Sequence, residues 1–386
     1  MKMSPIRILG LSLLLPHAVE ANGFFVTSQS TEATARGGAF VATADNASAV
    51  YYNPAGLTQL SAPQAQVGVY SIQLGNTYTN GSTTLDADQD LQAIPHLYYA
   101  TPVTDRLAVG MGLNVPFGLA TDWGSGANNP FRQVATTSKF SYLTASAVAA
   151  YEVTDQLSIG MGATVSFANA ELSQYSPLTM SESTLEGDGV NAGAIFGLRY
   201  QPHEQHSFGA VLRTGGRFEL DGSISVLGSA SLAFDIPTTA AIGYAYRPTD
   251  KLIIEANVEW ADWDSLNTYD LKANTPFPLP SLAFDWRSAF IYEIGFTYQL
   301  TDSFAVHAGY DYNEGAMTDT YYNPGIADAD RHWLNLGFTH TLDDFEWSVG
   351  YQFGFSDHTV TESVIGTNGD YEARHHAFFL SLQKTF

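Results

Sequence analysis

Phe345 to Phe355 reads FEWSVGYQFGF. Phe345, Trp347, Val349, Tyr351, Phe353 and Phe355 share one side of an extended chain; Glu346, Ser348, Gly350, Gln352 and Gly354 take the other. Successive side chains of a strand point to opposite faces, so the period of two marks a strand with one greasy and one polar face. Leu252 to Trp260, Phe304 to Tyr312 and His332 to Leu342 repeat the scheme. Such alternation fits a soluble sandwich, apolar side in, or a membrane barrel, apolar side out. Length separates them in part, because these runs reach the roughly 9–11 residues that a tilted strand needs to cross a bilayer.

The connections separate them further. Thr104-Asp105-Arg106-Leu107, Thr154-Asp155-Gln156-Leu157, Thr249-Asp250-Lys251-Leu252 and Thr301-Asp302-Ser303-Phe304 are nearly one short turn written four times. Leu342-Asp343-Asp344-Phe345 and Pro202-His203-Glu204-Gln205-His206 take the remaining places. Longer polar stretches lie between them, at 75–91, 117–138, 171–188, 217–235, 264–285, 313–330 and 356–373. Short turns at one end and long loops at the other are the asymmetry of outer-membrane barrels. Six short and seven long connections predict an all-β fold, a 14-stranded antiparallel transmembrane barrel over residues 61–386. An even count returns both ends to the periplasmic side.

The termini agree with export. Met1 to Ala21 reads as a signal peptide, with Lys2 and Arg7 ahead of an apolar run and a small-residue cleavage site at Val19-Glu20-Ala21. The chain ends HHAFFLSLQKTF, with Phe378, Leu380, Leu382 and Phe386 on one face. A terminal Phe on such a strand is the mark that outer-membrane assembly reads. The chain has no Cys, so disulfides play no part. A formal charge of −23 argues against nucleic acid as a partner. No stretch of 18 apolar residues offers a membrane helix.

Between leader and barrel, Asn22 to Leu60 reads NGFFVTSQSTEATARGGAFVATADNASAVYYNPAGLTQL and alternates nowhere. Small residues dominate it, and Asp45 or Asn46 suits the cap of a short helix over Ala47 to Tyr51. Irregular backbone cannot face lipid, where each unpaired amide costs several kcal/mol. Residues 22–60 are therefore expected inside the lumen as a plug.

Asn22-Gly23-Phe24, Arg36 among its glycines, Ala44-Asp45-Asn46-Ala47 and Asn53-Pro54-Ala55-Gly56 resemble the N-terminal hatch of the FadL family of outer-membrane long-chain fatty acid transporters. Pro116-Phe117-Gly118-Leu119-Ala120-Thr121-Asp122-Trp123, Asp330-Arg331-His332-Trp333-Leu334 and Trp286 to Gly295 extend the resemblance over essentially the whole mature chain. It implies uptake of a hydrophobic small molecule from outside, a buried apolar pocket beside the hatch, and sideways release into the membrane through a gap in the wall. It also implies a gate made of Phe24, Arg36, Asn53, Pro54, Ala55 and Gly56. Asn53, Pro54 and Ala55 would pack against a kink of the third strand at Pro116, Phe117 and Gly118. Arg287 matches a basic head-group position, while a second such position falls near Gln174 and is not basic. The branch of the family that admits aromatic hydrocarbons would tolerate that loss.

No catalytic residue, cofactor or metal site is assigned. No Gly-x-Ser-x-Gly signature is present; His203 and His206 sit in a turn without a third ligand, and Leu91 stands at the glycine position of the Asp86-Asp88-Asp90 run. An open polar porin is disfavoured by the plug. The expected partners are the hydrophobic ligand and outer-membrane lipid or lipopolysaccharide, with the protein acting as a monomer.

Overall fold

The computed structural model describes residues 22–177, 179–225, 227–266, 268–273 and 282–386; the leader expected at Met1 to Ala21 lies outside them. Fourteen antiparallel strands close into a barrel. They are β1 (Gln64–Asn80), β2 (Leu91–Thr104), β3 (Leu107–Asp122), β4 (Thr137–Thr154), β5 (Leu157–Ser176), β6 (Ser181–His203) and β7 (His206–Arg213, continued by Gly216–Ile224). Then follow β8 (Gly228–Ile236, continued by Thr239–Thr249), β9 (Leu252–Ala261), β10 (Ala289–Thr301), β11 (Phe304–Asn313), β12 (Arg331–Leu342), β13 (Phe345–Val360) and β14 (Gly369–Thr385). Short segments at Thr83–Asp86, Thr268–Ala273 and Leu282–Ala283 extend the outer loops. β1 pairs with β14 from Gln64 opposite Thr385 to Thr79 opposite Asp370, which removes both sheet edges.

The faces are inverted relative to a soluble protein. Met111, Leu336 and Phe378 are 60%, 62% and 63% exposed on the outer surface, whereas Gln66, Ser146, Glu293, Thr297, His307 and Gln352 are buried within. The same holds at the C-terminus, where Phe378, Leu380, Leu382 and Phe386 all point outward. Each of the six short turns joins strands across two residues, for example Thr104 to Leu107, Thr154 to Leu157 and Leu342 to Phe345. The recurrent Thr has a job there: the Thr104 hydroxyl accepts from Arg106 N at 3.3 Å and Leu107 N at 3.1 Å, and Thr154 does the same for Gln156 and Leu157. A side-chain oxygen thereby satisfies amides that the tight turn leaves without a strand partner.

Two of the expected loops are strands instead. Most of 171–188 is the paired end of the β5–β6 hairpin, with Ser176 opposite Ser181, and most of 217–235 belongs to the β7–β8 hairpin. Above the membrane both faces of a hairpin meet water, so its ladder persists after its hydrophobic alternation has gone.

Residues 22–60 fold as α1 (Thr31–Ala35), α2 (Ala49–Tyr52) and a 3-10 turn at Pro54–Gln59, almost wholly buried against inward-facing residues of the strands. α2 begins two residues later than expected, with Ser48 and not Asp45 or Asn46 at its N-cap and no side-chain capping bond; Asn46 instead makes the turn ahead of it, its side-chain oxygen accepting from Ser48 N at 2.9 Å. Strand glycines let the two backbones meet. A Cβ on Gly160 would lie 2.5 Å from Ala55 N, and one on Gly309 would lie 2.2 Å from the Arg36 carbonyl carbon.

Candidate functional site

Among the described residues, the wall is broken between β2 and β3. β2 and β3 pair from Thr104 opposite Leu107 up to Leu97 opposite Leu113 and no further. On the other side of β3 the register shifts between Asn114 and Phe117, so Val115 and Pro116 together oppose one residue of β4, a bulge. Pro116 has no N–H to give either neighbour. Asp88 N donates to Asp122 O at 2.7 Å above the break. Between that bond and Leu97–Leu113, no backbone hydrogen bond joins the two strands among the described residues.

The N-terminal segment takes over the groups that β3 leaves unpaired. Val26 N donates to Pro116 O at 2.8 Å, Gly118 N donates to Phe24 O at 3.0 Å, and Phe25 bridges Phe117 as a one-rung strand. Gln29 completes the set with its side chain. Its amide nitrogen donates to Val115 O at 2.8 Å, and its oxygen accepts from Val115 N at 3.0 Å and from Asn114 Nδ2 at 3.3 Å. Both main-chain groups of the bulged residue are thus satisfied by one buried amide, as a membrane-embedded backbone requires.

Two cavities flank this junction. The inner one, about 420 Å³, runs from Asn22–Ser28 past Ile72, Leu74, Ile94 and Pro95 to Val115, Gly118 and Leu143 at the break. The outer one, about 220 Å³, is lined by Leu172, Leu185, Leu220, Leu232, Phe234, Leu266 and Phe284, with no charged side chain among its described lining residues. Phe24 lines both. Its ring meets those of Trp263 at 4.9 Å, Phe140 at 5.3 Å, Trp286 at 5.9 Å and Phe117 at 6.1 Å, mostly edge to face.

Asn22 and Gly23 are pinned beside it. Gly23 holds a left-handed φ of +61°, and a Cβ there would come 2.7 Å from Trp286 and 2.8 Å from Trp263. Trp263 Nε1 donates to Asn22 Oδ1 at 2.7 Å. Asp328, from the loop before β12, accepts from Gly23 N at 2.8 Å through one oxygen and from Ala316 N and Met317 N through the other. Burial pushes its carboxyl up to about 6, with the Met317 hydrogen bond and the Arg331 charge pulling the other way.

A closed 14-stranded barrel with a broken wall seam narrows the relatives sharply. The family model described as outer membrane protein transport protein (OMPP1/FadL/TodX) matches residues 12–385. The chain belongs to this family. FadL/TodX proteins form an outer-membrane transport family for hydrophobic compounds, not a family of enzymes, and this member lies in the Gram-negative outer membrane. It is 24% identical to outer membrane protein P1 of Haemophilus influenzae, the match covering 97% of each chain. Its fold resembles that of a Pseudomonas aeruginosa FadL homologue, with a TM-score of 0.82 at 19% identity over 95% of this chain and 100% of that one. The Pseudomonas putida toluene transporter TodX gives 0.73 at 16% identity over 96% and 99%.

Among the residues that the FadL resemblance singled out, Phe24, Phe117 and Gly118 meet at the wall break. Arg36 lies elsewhere in the lumen, 1% exposed, with Nη2 2.9 Å from Glu255 Oε2. Asn53, Pro54 and Ala55 do not pack against the kink of β3. Asn53 donates to Val41 O at 2.8 Å and Leu198 O at 3.0 Å, and Pro54 and Ala55 fill the space above Gly160 and Gly197 of β5 and β6. The polar lumen there needs a donor for a strand carbonyl, and the kink already has Phe24 to Gln29. Gly56 meets its own segment, since a Cβ there would sit 2.0 Å from Ala44 O. Arg287 is exposed and outside the lining of either cavity, its amide bonded to Ala316 O at 2.8 Å. Gln174 does line the outer cavity. Sequence reasoning missed Gln29 and gave Arg331 no role; an isolated Gln among small residues carries no signal of its own.

Proposed function

We propose that this chain is a passive channel for long-chain fatty acids or related hydrophobic compounds, with residues 22–60 as its hatch and the seam between β2 and β3 as a lateral exit. The observation that carries the reading is the position of Phe24 between an apolar outer cavity and an inner cavity that ends at the seam. A ligand settling in the outer cavity reaches the inner one by displacing the Phe24 ring. The Phe24 carbonyl holds Gly118 N, so that displacement pulls on β3 at the seam itself. An alkyl chain gains roughly 0.8 kcal/mol per buried CH₂, which makes direct release into water steeply uphill. Leaving sideways exchanges one apolar surrounding for another.

A second reading, uptake of aromatic hydrocarbons, is supported by the outer cavity, where Gln174 and the other lining side chains carry no positive charge to pair with a carboxylate. The channel acts as a monomer in this proposal, and its acidic outer loops face the lipopolysaccharide layer. Uptake of labelled oleate and labelled toluene by cells with and without the protein ranks the two substrates. Equal uptake of both by cells lacking it rejects transport altogether.

A further inference from the structure

Phe24 is not alone between the two cavities. Ile326, from the outer loop at 314–330 that joins β11 to β12, also lines both. That loop folds into the barrel, with Ala316, Met317 and Tyr322 buried. Trp123 Nε1 donates to Pro324 O at 2.8 Å, the Thr367 hydroxyl donates to Tyr322 O at 2.7 Å, and His358 Nε2 lies 2.9 Å from Asp319 Oδ1. The loop after β3 and the β13–β14 hairpin thus hold its outer side. Its inner side is fastened to the N-terminal segment by one residue. Buried Asp328 divides its two oxygens: Oδ1 accepts from Gly23 N at 2.8 Å, and Oδ2 accepts from Ala316 N at 2.9 Å and Met317 N at 3.0 Å. One oxygen shapes the loop, and the other reaches the residue next to Phe24. Ala327, between Ile326 and Asp328, holds a left-handed φ of +54° without being a glycine, a backbone that relaxes once its neighbours let go.

We propose that the partition between the cavities is a gate of two leaves, Phe24 from the N-terminal segment and Ile326 from the outer loop, and that Asp328 is the positioning residue that bolts them together. A carboxylate binds a backbone N–H more strongly than a neutral acceptor does. The Gly23 amide has no second acceptor among the described residues, so freeing it inside the protein is costly. Moving either leaf therefore strains this one bond. A ligand that presses Ile326 aside in the outer cavity loosens Gly23, and with it Phe24, before it reaches the inner cavity. The assignment rests on the transport reading above and adds to it the residue that sets when the partition opens.

Asp328→Asn separates the two tasks of the carboxylate. An amide has one oxygen; turned towards Ala316 N and Met317 N it keeps the shape of the loop and presents its NH₂ to Gly23 N, which loses its acceptor. Residue-resolved amide exchange of the protein in lipid reads this without any substrate. In Asp328→Asn, Gly23 and Val26 are expected to exchange faster than in the wild type, while Ala316 and Met317 stay as protected as before. No change at Gly23 and Val26, or an equal loss at all four, overturns the bolt. Initial uptake of labelled oleate over a range of concentrations reads the gate, with heat-modifiable electrophoretic mobility checking that each barrel is folded. Asp328→Asn is expected to raise the maximal rate about fivefold, the worth of one net hydrogen bond, and to move half-saturation less than about twofold, because capture precedes the gate. Ile326→Ala, which leaves the bolt in place and trims one leaf, should also raise the maximal rate, with exchange at Gly23 and Val26 unchanged. A maximal rate at or below that of the wild type in either folded variant overturns the two-leaf gate and leaves the channel reading standing. Wild-type cells that take up no more oleate than the strain without the protein overturn oleate transport, and the exchange comparison still decides the bolt.

Discussion

Gln29 does with one side chain what a neighbouring strand does elsewhere in the wall, and its removal is the simplest test of the seam. Gln29→Ala leaves Val115 N and O without partners at membrane depth, which costs roughly 1–3 kcal/mol for each group. The expected outcome is a lower urea midpoint in lipid and faster amide exchange confined to Val115 and its neighbours; uniform exchange over β3 contradicts it. A second residue-scale case is the buried pair Arg36–Glu255, where the carboxylate also accepts from Ala42 N at 2.7 Å and the Thr43 hydroxyl at 2.6 Å. Arg36→Met or Glu255→Gln alone strands a buried charge or donor and should cost about 3–5 kcal/mol. The double variant should cost less than the sum of the two, as read from a double-mutant cycle of unfolding free energies. Alternation had placed Glu255 on the lumen side, and resemblance had singled out Arg36, but nothing in the linear order joined them. The pair is 219 residues apart in sequence.

At the scale of elements, β3 is the strand whose geometry differs from its pattern. Leu107 to Val115 reads as any other strand and 117–138 as a loop, so that only Pro116 and Gly118 hint at a strand whose ladder fails part-way and runs on to Asp122. The turns were far more legible, because a Thr hydroxyl capping a two-residue connection recurs as the same letters each time. The tall β5–β6 and β7–β8 hairpins were not, since water on both faces removes the period on which the reading depended. The expectation for the Asn53-Pro54-Ala55 element failed for a related reason: a motif identifies a segment without saying which of fourteen inward faces it meets. Gly118 offers a test of the seam that spares the fold. A Cβ there meets nothing nearer than 3.7 Å, from Phe140 O and the Val26 side chain, so Gly118→Val leaves the barrel closed while filling the inner cavity at its mouth. Uptake should fall severalfold with unchanged electrophoretic mobility; undiminished uptake rejects sideways release.

For the whole molecule, the strand count, the closure and the outward C-terminal face were all readable, because bilayer thickness and hydrogen-bond closure leave few alternatives. The cavities were not, since they depend on which loop residues fold inward. Two predictions belong here. A chain lacking residues 22–59 keeps its β1–β14 seam and should conduct ions across a planar bilayer far better than the intact protein; equal conductance denies the N-terminal segment its role as stopper. Deleting Phe386, whose amide is held by Pro63 O at 3.0 Å, should reduce the amount of folded barrel in the outer membrane, measured on unboiled gels.

The opening in the wall has a sill and a lintel. Below it the β2–β3 ladder resumes at Leu97 and Leu113, and above it Asp88 is tied to Asp122. Because both ends are fastened, the window cannot grow by unzipping; more width would have to come from breaking one of them. Under the proposed sideways release, cargo would be graded by girth and not by length. A slender chain of any extent, or a flat ring turned edge-on, would go through the same frame, while a bulky branched molecule of equal mass would stay outside.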